Sequence, residues 1–423
     1  MSRSLAEWLA YQEGTHPREI ALGLDRVRTV WQAMGAPRPA PLVITVGGTN
    51  GKGSTVAFLE GMLRAAGYRV GCYTSPHLLR YNERVRIEGE DATDEALVAA
   101  FERIEAARGA IPQTYFEFGT LAAIDLMARA ALDIAVIEVG LGGRLDAVNI
   151  VDADVAVITT IDLDHQDWLG GDRDSIGREK AGIARAGRPA VIGERSPPAG
   201  LVQALRGIGA DVVANGTAFS VRRMEGDPVW QWSHRDGTLL DLPYPRLDAP
   251  VQVDNAATAI AAIHALGARV DVNPGAIRHA LTGVRVPGRL QRVAEHPLTL
   301  VDVGHNPQAA RALAAWLDAT PRTGRVRAVY GALADKDVGG VIEALVDRVD
   351  QWYLAGLDRD TPRGLPAAAL AGSLAAVAPK AAGRAFADVA SAWTAARAEA
   401  GEDDVLLLFG SFFVAAAALS HRT

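Results

Sequence analysis

The chain contains a single cysteine, Cys72, in 423 residues. An internal disulfide bond is therefore impossible, and this is typical of proteins kept in a reducing cytosol. Cys72 lies in the apolar stretch VGCYTS, where a thiol is expected to be a buried core group rather than a nucleophile. The cysteine content thus excludes a small secreted domain stabilised by disulfides.

The sequence also lacks an excess of positive charge. Its 43 basic and 50 acidic residues give a formal net charge of −7. Broad binding to nucleic acids or to anionic membrane surfaces is therefore not expected. An anionic ligand would need local positive charge that acts against this average.

No apolar run is long enough for a membrane-spanning helix. The longest, from Leu406 to Leu419, is interrupted by Gly410 and Ser411, and we predict a buried strand, a turn and a helix there. The first residues, MSRSLAEWLAYQEG, have no apolar core of a secretory signal peptide. We therefore expect a cytoplasmic protein without membrane association.

What the sequence does contain is a repeated pattern of apolar runs and helical segments between about residues 40 and 195. The runs are rich in β-branched residues, show no polar alternation and end in polar or glycine-rich turns. Such strands are expected to be buried on both faces, as in a parallel sheet covered by helices. The predicted strands are 42–46, 69–74, 133–139, 154–160 and 189–193, and the predicted helices are 53–66, 118–131 and 175–186.

Two changes of pattern follow. Short segments separated by Gly, Asp and Pro at 215–250 predict a small antiparallel insertion, and a helix is predicted at 254–266 with Asp254 as its N-cap. Pro287 and Gly288 mark a boundary, after which strand and helix patterns alternate again. Because 423 residues exceed one typical core, we predict two α/β domains, 1–286 and 287–423.

The most informative local pattern is LVITVGGTNGKGST at 42–55, a strand, a glycine-rich turn, a lysine and a helix. Backbone N–H groups of such a turn and the helix N-terminus can bind a phosphate, and Lys52 adds a full positive charge. The usual G-x-x-x-x-G-K-[ST] pattern is not met, since Val46 replaces its first glycine and Gly53 follows the lysine. We still favour a phosphate loop over an ordinary turn, because the order of the parts is retained.

Polar residues also follow three other predicted strands. Ser75 ends the second strand, Glu138 ends the third and His165 follows the fourth. Because the carboxyl ends of parallel strands share one crevice, these groups and Lys52 are expected to meet. A carboxylate there suits a nucleotide-bound Mg²⁺. Taken singly, each residue has a structural alternative in capping, a turn or a surface contact.

The sequence pattern alone does not decide the roles of three basic residues. Arg84 and Arg86 alternate with apolar residues, so we predict that both point to one face, as a solvated edge or as a contact to an anionic substrate. Lys180 lies on a predicted helix among apolar residues, and its spacing favours a solvated lysine.

Motifs along nearly the whole chain, in the same order, resemble the Mur ligase superfamily. The resemblance is closest to its folylpolyglutamate synthase family, in particular the bacterial bifunctional dihydrofolate synthase/folylpolyglutamate synthases. Residues 114–120, TYFEFGT, are similar to the pteroate-binding segment of that type. The other matching motifs are GTNGKGS (48–54), TSPHL (74–78), EVGLGGRLDA (138–147), DHQDWLG (164–170), REKAGI (178–183), PGR (287–289) and DVGHNPQA (302–309).

This resemblance implies a fold and an activity. The fold is α/β, with an N-terminal P-loop domain built on a mostly parallel sheet (1–286) and a C-terminal Rossmann-like α/β domain (287–423), ATP held between them and a hinge at Val286 to Gly288. The activity is an ATP-dependent ligase that forms an acyl phosphate and couples it to L-glutamate. The implied substrates are dihydropteroate, reduced folates, L-glutamate and ATP, with two Mg²⁺ ions, in a cytoplasmic monomer.

The resemblance also implies roles for individual positions. Lys52, His165 and Lys180 would be catalytic, and Lys180 matches the family lysine that is carboxylated to a carbamate. Ser75 and Glu138 would bind one Mg²⁺, and His165 with carboxylated Lys180 a second. The implied ATP-binding residues are Thr49, Asn50, Gly51, Lys52, Gly53, Ser54, Asn255, Arg289, Asp302 and His305. The implied substrate-binding residues are Gly14, Thr15, His16, Pro17, Arg84, Thr114, Tyr115, Phe116, Glu117, Leu145, Asp146 and Ala147.

Two alternatives compete with this hypothesis. Another Mur-type ligase, acting on a UDP-linked peptide, is disfavoured by the folate-like segments TYFEFGT and TSPHL. A non-catalytic ATP-gated binding protein is disfavoured because Glu138, His165 and Lys180 exceed what holding a nucleotide requires. A GTP switch is less favoured still, because the sequence has no N-K-x-D motif.

Overall fold

The computed structural model describes residues 3–16, 21–223 and 226–420. The chain forms two compact units. The first comprises Met1–Arg246 with Val253–Val284, and the second comprises Leu247–Gln252 with Arg285–Thr423. The predicted assignment of distinct roles to residues 1–286 and 287–423 stays a prediction.

The first unit is built on an eight-stranded sheet and a separate three-stranded sheet. The central strands are buried along their whole length, as their uninterrupted apolar runs predict. The strands are β1 (Leu42–Gly47), β2 (Val70–Tyr73), β3 (Val85–Ile87), β4 (Glu90–Asp91), β5 (Ile134–Glu138), β6 (Val155–Ile158), β7 (Pro189–Ile192), β8 (Asp211–Ala214), β9 (Phe219–Arg223), β10 (Val229–His234) and β11 (Leu239–Pro243).

The large sheet has the strand order β4-β3-β2-β5-β1-β6-β7-β8. The six strands from β2 to β8 in this order are parallel, and only β3 and β4 at one edge run antiparallel to their neighbours. All five predicted parallel strands are present. The small sheet, β11-β10-β9, is antiparallel and confirms the predicted insertion.

Helices cover both faces of the parallel sheet, and many begin at a side-chain cap. Ser4, Thr93, Thr114, Asp172 and Asn273 each accept a hydrogen bond from a first-turn backbone N–H group. The helices are α1 (Leu5–Glu13), α2 (Asp25–Ala33), α3 (Lys52–Ala65), α4 (Asp94–Arg108), α5 (Tyr115–Arg129), α6 (Gln166–Leu169), α7 (Arg173–Ala181), α8 (Ala199–Ile208), α9 (Gln252–Ala265) and α10 (Pro274–Gly283).

Two expectations about this unit are wrong. Asp254 is not an N-cap, because α9 already begins at Gln252, and the Asp254 carboxylate pairs with Arg223 at 2.6 Å. Arg84 and Arg86 do not share one alternating strand. Arg84 ends a 3₁₀ helix at Tyr81–Arg84, and only Arg86 lies in β3.

The second unit is a six-stranded sheet with its own apolar core. The sheet has the order β12-β13-β17-β14-β15-β16, and all pairs except β12–β13 are parallel. The elements are β12 (Gln291–Glu295), β13 (Leu298–Val301), α11 (Pro307–Ala319), β14 (Val326–Tyr330), α12 (Val338–Leu345), β15 (Gln351–Ala355), α13 (Ala367–Val377), β16 (Gly383–Phe386), α14 (Val389–Glu399), β17 (Val405–Phe409) and α15 (Phe412–Ser420).

The apolar segment Leu406–Leu419 folds as predicted. It forms the buried strand β17, a turn at Gly410 and Ser411, and most of α15. Among residues 3–16, 21–223 and 226–420, no helix is both long and apolar enough to cross a membrane.

Candidate active site

The strand order brings four polar loops to one edge of the large sheet. β2, β5, β1 and β6 are adjacent and parallel, so their carboxyl ends lie side by side. Ser75 follows β2, Glu138 ends β5, the glycine turn follows β1 and His165 follows β6. The meeting of these loops, which the sequence pattern predicts, is present in the structure.

The glycine turn after β1 is held by the residues that follow β6. The backbone N–H of Thr49 donates to the Thr160 carbonyl at 2.7 Å. The N–H of Asn50 donates to the Thr160 hydroxyl at 3.1 Å, and the Thr159 hydroxyl donates to the Asn50 carbonyl at 2.6 Å. These hydrogen bonds order the turn, and an ordered turn loses less conformational entropy when it holds a phosphate.

Two glycines of this turn have backbones that favour glycine. Gly48 has φ of 145° and Gly51 has φ of 85°. A Cβ atom at Gly48 would overlap the Thr159 side chain, and one at Gly51 would overlap the amide of Asn255. Asn255 lies in the first turn of α9, so the structure brings this distant residue to the predicted phosphate loop.

Two lysines meet at the same backbone carbonyl. The Lys52 ammonium donates to the carbonyls of Gly48 and Thr49, each at 3.1 Å. The Lys180 amine, from α7, donates to the Gly48 carbonyl at 3.0 Å, and Lys180 is only 4% exposed. The expectation from spacing that Lys180 is a solvated helix residue is wrong, because α7 packs this face inward.

Burial governs the charge of Lys180. Burial, together with the nearby charge of Lys52, lowers the pKa of the Lys180 amine to about 7. The carboxylates of Asp164 and Asp146 act in the opposite direction. The Lys180 amine is therefore readily deprotonated near neutral pH.

Glu138 is the acidic group of this edge. Its carboxylate is buried at the end of β5, and its Cα is paired in register with Val46 of β1. The backbone N–H of Ser75 donates to its Oε2 at 3.4 Å, so Ser75 and Glu138 are neighbours as predicted. A buried carboxylate beside a hydroxyl provides the hard oxygen donors that Mg²⁺ prefers.

His165 lies at the rim of the same site. It precedes α6 with a left-handed backbone, φ of 50°, and its side chain is partly exposed. Its Nε2 atom is 3.9 Å from the Asp164 carboxylate, which in turn acts on the charge of Lys180. The charges of Lys52 and Asp164 therefore both act on Lys180, and His165 lies beside Asp164.

The predicted substrate segments at Gly14–His16 and at 114–117 lie next to each other. The Thr15 hydroxyl donates to the Gln113 carbonyl at 2.7 Å. Pro17 lies outside the described residues. Thr114 and Glu117 form a capping box at the start of α5, and Glu117 also pairs with Arg26 at 3.1 Å. The side chains of Thr114 and Glu117 are buried, so they fix the conformation of this region rather than offer polar groups to a ligand.

Arg84 contacts two residues that the sequence analysis did not single out, His77 and Tyr81. Its guanidinium donates from Nε to Nδ1 of His77 at 2.9 Å, and it lies 5.2 Å from the Tyr81 ring and 5.5 Å from the Tyr115 ring. Burial and the Arg84 charge lower the pKa of His77 to about 4, so this ring is neutral. The sequence could have pointed to His77, because it lies inside the TSPHL motif.

Arg86 has a different partner from Arg84. It pairs with Glu60 of α3 at 2.7 Å, so it connects β3, the neighbour of the edge strand β4, to the helix that follows the glycine turn. Phe116, the other aromatic residue of the predicted substrate segment, packs near Tyr73, with ring centroids 6.1 Å apart.

The segment Leu145–Ala147 is fixed from two sides. The Leu145 carbonyl accepts from the N–H of Gly23 at 3.3 Å. The Asp146 carboxylate accepts from the N–H groups of Leu141 at 2.8 Å and Val148 at 3.0 Å. Burial raises the pKa of Asp146 to about 6, and its hydrogen bonds oppose this shift.

The second unit holds the remaining predicted nucleotide residues close together. The Asp302 carboxylate accepts from the N–H groups of Leu290 at 2.7 Å and Gly304 at 2.6 Å. Burial raises the pKa of Asp302, and the nearby charges of Arg289 and His305 partly oppose this shift. These three residues therefore form one polar cluster within their own unit.

Fold and site together define the class of protein. The family model of the Mur ligase middle domain matches residues 46–218, and the model of the Mur ligase glutamate ligase domain matches residues 288–412. The chain is 48% identical over 412 residues to the dihydrofolate synthase/folylpolyglutamate synthase of Escherichia coli K12, covering 97% of this chain and 94% of that protein. The chain therefore belongs to the dihydrofolate synthase/folylpolyglutamate synthase family of Mur ligases.

Solved structures of relatives agree with this assignment. One is E. coli FolC in complex with DHPP and ADP, with a TM-score of 0.94 and 47% identity over 99% of this chain and 98% of that chain. Another is a bifunctional folylpolyglutamate synthase/dihydrofolate synthase with Mn, AMPPNP and L-glutamate bound, with a TM-score of 0.90 and 46% identity over 99% of this chain and 98% of that one. The α/β Mur ligase fold predicted from the motifs is confirmed.

Proposed function

We propose that this chain is an ATP-dependent ligase that adds L-glutamate to dihydropteroate and to reduced folates through an acyl phosphate. The observation that carries the proposal is the meeting of Lys52 and Lys180 at the carbonyl of Gly48, in a glycine turn beside the buried carboxylate of Glu138. Relatives with this fold bind ADP and DHPP, or AMPPNP and L-glutamate.

The residues of the turn would hold the phosphates of ATP. The Lys52 ammonium, now bonded to two backbone carbonyls, carries a charge that can turn toward the transferred phosphoryl group. The glycines allow backbone N–H groups to approach phosphate oxygens closely. Ser75 and Glu138 provide oxygen donors that fit Mg²⁺, and His165 would add an imidazole nitrogen. The metal, when bound, would offset phosphoryl charge.

The chemistry requires no protein nucleophile. A carboxylate becomes reactive when a phosphoryl group is transferred to its oxygen, because phosphate is then a good leaving group. The glutamate amine attacks the acyl carbon, and phosphate leaves as the amide bond forms. This fits a site made of cations, a carboxylate and an imidazole.

Three variants test this proposal. Lys52→Ala, Glu138→Ala and His165→Ala are each expected to abolish product formation while the circular dichroism spectrum stays native. The assay supplies ATP, Mg²⁺, L-glutamate and either dihydropteroate or tetrahydrofolate, and products are identified by mass spectrometry. Lys380→Ala, which removes an exposed lysine of the second unit, is the matched control. Wild-type turnover in the Glu138 or His165 variant would remove that residue from the site.

The dependence of ADP release on substrate separates the competing functions. The ligase releases ADP only when both L-glutamate and the pteroate or folate are present. Release that is indifferent to both would support an ATP-gated binding protein. Thermal stabilisation by a UDP-sugar rather than by a pterin analogue would support a ligase for UDP-linked peptides.

We also propose that Lys180 reacts with CO₂ to form a carbamate that serves as a metal ligand. The support is its burial, its position 3.0 Å from the Gly48 carbonyl and the lowered pKa of its amine. A ¹³C NMR carbamate signal is expected after incubation with ¹³C-bicarbonate and is expected to be absent in Lys180→Arg. The same signal in both proteins would contradict the assignment.

A cytoplasmic location fits this function. Folate coenzymes and ATP are substrates of the cell interior, and the single cysteine is buried as a free thiol. Burial raises the pKa of Cys72 well above its ordinary value, so it is an unreactive core group. Fractionation of cells that express the tagged chain is expected to find it with soluble cytoplasmic enzymes.

A further inference from the structure

The small antiparallel sheet carries a polar cluster at the tip of its β10–β11 hairpin. The turn between these strands is held by the N–H of His234, which donates to the Thr238 carbonyl at 2.9 Å, and by the N–H of Gly237, which donates to the His234 carbonyl at 3.0 Å. The N–H of Thr238 donates to the Asp236 carboxylate at 2.9 Å. The orientation of Asp236 is thus set by the turn itself.

This carboxylate joins two histidines that are distant in the sequence. Its Oδ1 atom is 3.0 Å from Nδ1 of His234, and its Oδ2 atom is 3.0 Å from Nε2 of His264. His264 lies in the last turn of α9. The hairpin and the helix therefore each place an imidazole nitrogen beside the same carboxylate.

A buried tryptophan supports both imidazole rings. The Trp232 ring is stacked on His234 with an interplanar angle of 6°, and its centroid is 5.7 Å from that of His264. The indole N–H donates to the Ala257 carbonyl of α9 at 3.2 Å, so the tryptophan itself is anchored to the helix. The two imidazole centroids are only 4.2 Å apart. The rings are therefore held beside each other by the fold.

The geometry of the three side chains suits a metal ion. One ligand atom from each of His234, Asp236 and His264 can be chosen so that all lie within 4.8 Å of one another, and the described residues include no second group of three His, Cys, Asp or Glu side chains that meets this criterion. Tetrahedral Zn²⁺ places its ligands at about 2.0–2.2 Å, so neighbouring ligand atoms are roughly 3.3 Å apart. Asp236 contacts the two imidazole nitrogens through its two different oxygen atoms, each at 3.0 Å, so both nitrogens lie at one carboxylate.

Ligand type and exposure narrow the choice of ion. Two imidazole nitrogens with one carboxylate suit Zn²⁺ and related transition metals, whereas Mg²⁺ and Ca²⁺ prefer oxygen ligands. The side chains are 12%, 47% and 31% exposed for His234, Asp236 and His264, so an ion can enter from solvent and keep a water ligand. We propose that His234, Asp236 and His264 form a Zn²⁺-binding site, which is separate from the ligase site and does not depend on the proposed function.

The ion would link two elements of the first unit. It would bind the hairpin turn to the C-terminal end of α9, whose first turn carries Asn255 beside the phosphate loop. Because its protein ligands come from two elements, a bound ion is expected to stabilise this contact. Metal-free protein should remain folded, since Trp232 already joins the sheet to α9.

Zinc binding to the purified full chain tests this proposal. The protein is stripped with a chelator and titrated with Zn²⁺ against a chromogenic chelator, in excess Mg²⁺ so that oxygen-rich sites are occupied. We expect wild type to bind one Zn²⁺ that His264→Gln and Asp236→Asn bind at least about tenfold more weakly. His279→Gln, which changes an exposed histidine on α10, is the matched control and should bind as wild type.

Two further measurements separate loss of the site from loss of the fold. The metal-free variants should have the circular dichroism spectrum and Tm of metal-free wild type, and added Zn²⁺ should raise the Tm of wild type and of His279→Gln only. Co²⁺ should give a visible absorption band in wild type that is missing in Asp236→Asn. Equal Zn²⁺ affinity in wild type and both site variants, or no binding to wild type at micromolar Zn²⁺, would show that the cluster is only a hydrogen-bonded pair of histidines on a carboxylate.

Discussion

Single residues determine the conformation of the glycine turn that is predicted to hold a phosphate. Gly51 combines φ of 85° with a close approach to Asn255, which is buried and has little room to move. A side chain at this position would have to adopt an unfavourable backbone and displace that amide. The turn is therefore intolerant of a change that most surface turns accept.

Gly51→Ala is expected to weaken nucleotide binding. The left-handed backbone costs roughly 1–2 kcal/mol for alanine, and the overlap with Asn255 adds to it, so we expect at least about a tenfold higher Kd for ADP. Isothermal titration calorimetry measures the affinity. Gly67→Ala is the control, because Gly67 has φ of 92° but nothing within 4 Å of an added Cβ. Equal affinities in the two variants would show that the approach of Asn255 has no effect on the loop.

Asp146 gives the folded state a pH dependence. Burial raises its pKa from 3.8 to about 6. Between these two pH values the folded chain binds more protons than the unfolded chain, so stability falls as pH rises from about 4 to 6, by on the order of 3 kcal/mol. Asp146→Asn should remove this contribution.

Urea unfolding at pH 4 and pH 7 measures this effect. The free energy of unfolding of the Asn variant, relative to wild type, should be higher at pH 7 than at pH 4. The variant also loses one acceptor for the N–H groups of Leu141 and Val148, which is a constant cost at both pH values. A difference between the proteins that does not change with pH would contradict the role of Asp146.

At the scale of elements, α5 shows how the start of a helix shapes the predicted substrate region. The pattern predicted a helix from 118, whereas α5 begins at Tyr115 because Thr114 and Glu117 form a capping box. The box fixes the first turn, where Tyr115 lies 5.5 Å from Arg84 and Phe116 lies near Tyr73. Periodicity alone does not find this start, since the first turn is set by polar contacts.

Thr114→Ala should destabilise the start of α5 by about 1 kcal/mol, because its hydroxyl accepts the N–H of Glu117. The urea midpoint is expected to fall and the KM for the pteroate substrate to rise. Thr114→Ser keeps the hydroxyl and should retain both values. Normal stability of Thr114→Ala together with a raised KM would instead assign Thr114 to direct substrate contact.

At the scale of the whole molecule, each of the two compact units has an apolar core among its described residues. Leu121 lies in the core of the first unit and Leu407 in that of the second, and both are almost fully buried. Domains with separate cores are able to unfold as separate cooperative units. A cavity in one core should then leave the other transition unchanged.

Leu121→Ala and Leu407→Ala test this expectation as a matched pair. Each is expected to cost about 2–5 kcal/mol through lost contacts and a residual cavity. Differential scanning calorimetry should show that each variant lowers a different transition. If both lowered the same single transition to the same extent, the two units would have to unfold together.

Much of the fold followed from local patterns. The strands β1, β2, β5, β6 and β7 were predicted because buried parallel strands have uninterrupted apolar runs. The short strands β3 and β4 were not predicted, because the alternation around Arg84 and Arg86 resembles that of one longer strand. The 3₁₀ helix before β3 instead depends on hydrogen bonds from the backbone N–H groups of residues 78–80 to the Glu83 carboxylate.

Sequence by itself determined where the polar loops of the candidate site lie: the glycine-lysine turn, Ser75, Glu138 and His165 are each recognisable from the strand they follow. Tertiary structure alone decided that Lys180 is buried against Gly48, that Asn255 lies beside Gly51 and that His234, Asp236 and His264 meet. The physical reason is the distance along the sequence over which the deciding contacts are made. Turns and periodicity depend on neighbours within a few residues, whereas burial and side-chain partners depend on which distant segments the sheet order and helix packing bring together.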